Sequence, residues 1–114
     1  MHATIRRFEG VDMTRINEVV GKVNETLIPQ LRELPGFTGY FLIDADNGIQ
    51  SSLSLFETRE QADESTKVVT KWISDEDFNK AIPNPPKITS GTSEGHRYSK
   101  PTPLRMIPRT ILRK

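Results

Sequence analysis

The stretch from Leu34 to Glu57, LPGFTGYFLIDADNGIQSSLSLFE, constrains the chain more than any other part. Pro35 and Gly36 stop whatever helix precedes them. Phe37 to Ala45 and Ile49 to Glu57 then form two β-rich runs joined by Asp46-Asn47-Gly48. An Asn-Gly pair supplies the positive φ angles that a tight hairpin requires. The first run is apolar on both faces, with alternation predicting Phe37, Phe41 and Ile43 on one side and Tyr40 and Leu42 on the other. A sheet containing such a strand needs a cover on each side.

The flanking segments supply one cover. Thr4 to Glu9 alternates as a first strand, with Ile5 and Arg7 on one face and Thr4, Arg6 and Phe8 on the other, before Gly10 breaks it. Asp12 is placed to cap a helix whose stripe is Met13, Ile16, Val19, Val20, Val23, Leu27, Leu31 and Leu34. Pro29 lies inside it. A proline in a regular helix interior costs about 3 kcal/mol, so a kink or a break with a short restart is expected there. After the hairpin, Thr58 and Gln61 have capping-box spacing and open a second helix to about Ile73, with Ala62, Ser65 or Thr66, Val69, Trp72 and Ile73 facing inward. Ser74 to Asp77 reads as the start of a short helix carrying Phe78, Ala81 and Ile82, its acids suiting a helix N-terminus. Pro83-Asn84-Pro85-Pro86 ends it, and a weak last strand follows at residues 87–96.

The order strand, helix, strand, strand, helix, strand is the ferredoxin-like βαββαβ arrangement, an α+β fold with a four-stranded antiparallel sheet and its helices on one face. Two helices cover only that face. Aromatic side chains bury on the order of 150 to 250 Å² each, so the other face would leave an apolar patch larger than monomers usually show. A second copy of the same sheet is the economical cover, which predicts a homodimer through the sheet face.

Composition narrows the function. At 114 residues with no cysteine, the chain reads as one domain over residues 1–96, without disulfides or thiolate chemistry. Neither an apolar signal core nor a membrane-length run is present, so a cytoplasmic location without membrane association is expected. Residues 1–96 hold ten basic and fifteen acidic side chains, a net −5, whereas residues 97–114 hold six basic ones and no acid. That Pro-containing basic tail reads as an extension. The acidic body opposes phosphate binding. The aromatic run at 36–43 echoes an RNA-recognition strand but follows the first helix directly, so nucleic-acid binding is not expected.

Pro35-Gly36-Phe37-x-Gly39-Tyr40, the short hairpin, Ser54-Leu55-Phe56-Glu57-Thr58 running into Arg59-Glu60-Gln61-Ala62, and Trp72 late in the second helix together resemble the antibiotic-biosynthesis-monooxygenase type of dimeric α+β barrel protein over about residues 1–90. The resemblance implies two sheets closing into a barrel and a pocket in each subunit between sheet and helices. Some members of that group are cofactor-independent monooxygenases of aromatic polyketides or quinols. The haem-degrading branch pairs a first-strand Asn and a second-helix Trp with a histidine ligand beyond the Trp. Trp72 matches, but the first strand lacks Asn and Ile73 to Pro86 lacks His, so no cofactor is expected.

On that resemblance the expected catalytic residues are Tyr40 and Arg7, with Trp72, Phe41 and Phe8 binding an aromatic or quinone-like ligand. Each has a plainer reading. Trp72 and Tyr40 read first as core or interface side chains, and Arg6 and Arg7 as edge residues pairing with Glu57 or Asp44 unless one points inward. Ser51, Ser52 and Ser54 read as strand serines. His2, in a frayed start, and His96 have no second ligand at metal spacing, so no metal is expected. Two functions stay open: a cofactor-independent monooxygenase, and a non-catalytic dimeric ligand-binding or stress-response module of the same fold.

Overall fold

A computed structural model describes residues 1–95; the basic tail at 97–114 and His96 lie outside them. Strand β1 spans His2–Phe8, β2 Phe37–Asp44, β3 Gln50–Phe56 and β4 Lys87–Thr92, all antiparallel in the order β2-β3-β1-β4. Helix α1 is Ile16–Lys22, α2 Ile28–Arg32 and α3 Arg59–Asp75. This is the expected α+β ferredoxin-like arrangement. His2 is not frayed. It pairs with Phe56 on one side and Thr92 on the other.

Local chemistry explains the helical layer. Asp12 caps a 3-10 turn at Met13–Arg15 by accepting from the Thr14 N–H at 2.9 Å. Between α1 and α2 the chain does not break at Pro29. It widens into a π turn at Val23–Leu27, where the Ile28 N–H reaches back five residues to the Val23 carbonyl. Pro29 cannot donate to the Glu25 carbonyl, and the wider turn absorbs that missing bond. Val19, Val23, Leu27 and Leu31 still line one buried face. The Thr58–Gln61 capping box forms with both reciprocal bonds, which opens α3 as expected.

Two expectations are corrected. The segment after α3 is a set of turns, not a second short helix. Asp77 takes φ 59° and closes α3 with bonds from the Phe78 N–H to the Ile73 carbonyl and from the Asp77 N–H to the Ser74 carbonyl. That is a Schellman closure with aspartate in the left-handed position, and it still buries Phe78 and Ala81. Asp75, Glu76 and Asp77 therefore sit at a helix C-terminus, where the dipole disfavours them. Lys71 at 3.1 Å from Asp75 and Lys22 at 3.9 Å from Glu76 offset this. The second correction concerns Phe37. The β2–β3 register shifts between Phe37 and Gly39, so one extra residue turns the Phe37 ring onto the helix side, edge-on to Phe56 at 5.7 Å.

The two faces of the sheet are then clear. Thr4, Arg6, Phe8, Tyr40, Leu42, Gln50, Ser52, Ser54 and Phe56 face the helices. Register places Ile5, Leu53 and Phe41 in one row across the other face, with Leu55, Ile43 and Arg7 in the neighbouring rows. Phe41 is 57% exposed, Ile43 53% and Ile5 43%, so no element among the described residues covers that side.

Candidate functional site

Between sheet and helices lies a small, partly open apolar chamber. Phe8 reaches it from β1, Tyr40 and Leu42 from β2, Gln50 from β3, Val23 and Leu27 from the π turn, and Trp72 from α3. The centre of a water molecule can move through about 20 Å³ of it, roughly the room for one water. A wider groove of about 350 Å³ runs outside, between the π turn and β2, and shares Val23, Tyr40 and Leu42 with the chamber. Those three side chains are the partition between the two spaces.

Three of the five expected site residues meet here and two do not. Phe8, Tyr40 and Trp72 line the chamber. Arg7 lies on the opposite face of the sheet, its side chain 49% exposed and 3.5 Å from Glu9, not from Glu57 or Asp44. Strand alternation makes any joint action of Arg7 and Tyr40 within one subunit impossible. Phe41 also belongs to the uncovered face and touches only the outer groove.

Trp72 is both core and lining. Its Nε1 donates to Thr26 Oγ1 at 2.7 Å, and Thr26 in turn donates to the Lys22 carbonyl at 3.0 Å. Its ring packs edge-on against Phe78 at 5.4 Å. With its one polar atom engaged, the indole offers the chamber only its apolar surface. Burial pushes the Tyr40 phenol above its ordinary pKa, and Ser52 and the Arg6 guanidinium oppose that shift. Tyr40 is the one titratable residue lining the chamber, and near neutral pH it is a hydrogen-bond donor, not a base.

Arg6 is the inward arginine. It is fully buried and makes no ion pair among the described residues. Nη1 donates to Ser54 Oγ at 2.7 Å, Nη2 to Ser65 Oγ at 2.9 Å and to Thr66 Oγ1 at 2.8 Å, and Nε to Thr66 Oγ1 at 3.2 Å. Burial pulls its pKa down, but a guanidinium stays charged. The hydroxyls thus tie β1 and β3 to α3 behind the chamber. Two buried polar atoms have no partner among the described residues: Gln50 Nε2, in the chamber wall, and Ser52 Oγ. The sequence carries no signal for Gln50, since one glutamine in a strand forms no pattern, and it marks Arg6 only as one of a pair with Arg7. No group of three His, Cys, Asp or Glu side chains among the described residues is placed to hold a metal. No helix among them is long and apolar enough to cross a membrane.

No protein-family model and no curated relative matches the sequence. Solved structures do match the fold. An antibiotic biosynthesis monooxygenase superposes with a TM-score of 0.63 at 18% identity, covering 83% of this chain and 100% of that one. The ActVA-Orf6 monooxygenase of Streptomyces coelicolor, in complex with nanaomycin D, gives 0.63 at 16% identity over 87% of this chain and 92% of that one. A dimeric ferredoxin-like protein from an uncultured marine organism gives 0.58 at 11% identity over 86% and 97%. The chain has the fold of the antibiotic biosynthesis monooxygenase structures.

Proposed function

We propose that this chain works as a homodimer joined through the uncovered sheet face, and that each subunit binds an aromatic or quinone-like small molecule between sheet and helices as a cofactor-independent monooxygenase. The observation that carries this reading is the meeting of Phe8, Tyr40 and Trp72 in one apolar chamber, on a fold shared with a monooxygenase whose structure holds nanaomycin D. In such a reaction the substrate itself reacts with oxygen, and the protein orients it and excludes water. The neutral Tyr40 phenol, which lines both the chamber and the outer groove, donates to a ligand oxygen, and Trp72 and Phe8 form the apolar walls of the inner end of the site. Arg7 faces the partner sheet, so it has no part in this mechanism.

A second reading, a non-catalytic dimeric binding module, is favoured by the chamber wall itself, in which no residue is a base near neutral pH. Oxygen uptake with a panel of anthrone-type and hydroquinone compounds separates the two. Uptake above background that falls in Tyr40→Phe while the dimer persists supports the enzyme. Binding without uptake across the panel supports the module.

A further inference from the structure

Gln50 stands on the helix side of β3 with 3% exposure, and its Nε2 is buried in the chamber wall without a partner among the described residues. Its cross-strand neighbours are Phe8 and Asp44. A buried amide N–H without an acceptor is unfavourable, so such a group in a folded protein signals something that completes it. The chamber has room for about one water-sized group, and the polar groups near it are Gln50, Tyr40 and the unpartnered Ser52 Oγ, two residues from Gln50 on the same face of β3. The rest of the chamber lining is apolar. What fits is one acceptor atom carried on an otherwise apolar body.

We propose that Gln50 is the specificity residue of the chamber: its Nε2–H donates to a carbonyl oxygen on the buried edge of an aromatic ring compound, a quinone or aryl ketone. This rests on the chamber being a ligand site, as proposed above. The ring lies in the outer groove of about 350 Å³, and the oxygen, close to a water in size, fills the inner 20 Å³. The two spaces meet at Val23, Tyr40 and Leu42, which line both. A hydrocarbon of the same shape would leave the Gln50 amide unsatisfied, which is the physical source of the selectivity.

Trp72, the chain's one tryptophan, lines the same chamber and reports on occupancy by its fluorescence. Menadione and its hydrocarbon counterpart 2-methylnaphthalene are the probes, titrated against wild type, Gln50→Leu and, as a second isosteric variant, Gln50→Met. Wild type should show saturable quenching by menadione, weakened about tenfold or more in either variant. Binding of 2-methylnaphthalene should stay within about twofold, and thermal stability should be unchanged or higher because an orphaned donor has gone. Equal menadione affinity in wild type and variants overturns the role of Gln50 alone. So does a parallel loss for both compounds together with lost stability, which would make Gln50 structural. Failure of both compounds to bind wild type overturns the ligand site and, with it, this assignment.

Discussion

Arg6 Nη1 and Ser54 Oγ lie 2.7 Å apart in the wholly buried layer between sheet and helices, whereas the next residue, Arg7, is half exposed on the other side. The same residue type at consecutive positions therefore meets opposite environments, because a strand sends successive side chains to opposite faces.

The contrast is measurable by urea unfolding. Ser54→Ala leaves one donor of a buried guanidinium without an acceptor and should cost about 1–3 kcal/mol. Arg7→Ala gives up only a surface pair with Glu9 and should stay within about 0.5 kcal/mol of wild type. Equal effects would mean that the two faces have been assigned the wrong way round.

Much of this was legible beforehand, and the gaps have physical causes. The hairpin, the capping box and the helical stripe are local signals, and local geometry honours them. Alternation required that one of Arg6 and Arg7 point inward but could not choose, since Ile5 makes one face apolar and Phe8 the other. Phe37 departs from simple alternation because a single bulged residue inverts side-chain parity without changing composition. Asp77 ends a helix as glycine would, so acids that suit a helix start stand at a helix end. Gln50 and the hydroxyls around Arg6 acquire meaning only from what packs on them.

Trp72 and Thr26 provide a second test. Thr26→Val keeps the volume but removes the hydroxyl that accepts from the indole N–H, and should cost about 1–3 kcal/mol. Tryptophan emission should also shift to the blue as the indole loses its polar partner. An unchanged spectrum and melting temperature would show that the Trp72 edge is not held by Thr26.

Tyr40 should make the fold sensitive to alkaline pH. Burial raises its folded-state pKa above the ordinary value near 10, so the unfolded chain releases the phenolic proton first. Stability from keeping this phenol neutral is fully present below about pH 10 and is lost as pH climbs through the folded-state pKa. Tyr40→Phe should therefore lose less melting temperature between pH 8 and pH 11 than wild type does, both being approximate settings chosen to bracket the ordinary value. The late-titrating tyrosine should also vanish from a near-ultraviolet absorbance titration. Parallel losses in both proteins would place the phenol in water.

The row Ile5, Leu53, Phe41 decides the assembly. No helix among the described residues packs on these side chains, so Leu53→Lys should leave helical circular dichroism and the core intact. In a paired sheet the same lysine would be buried against apolar partners without a counter-ion, which is strongly unfavourable. Sedimentation of wild type at micromolar concentration should then give twice the 12.9 kDa chain mass, and Leu53→Lys the chain mass itself. If wild type sediments as one folded chain, the dimer fails. The exposed Phe41, Ile43 and Ile5 would then need another cover, because an apolar patch of that extent is seldom left facing water.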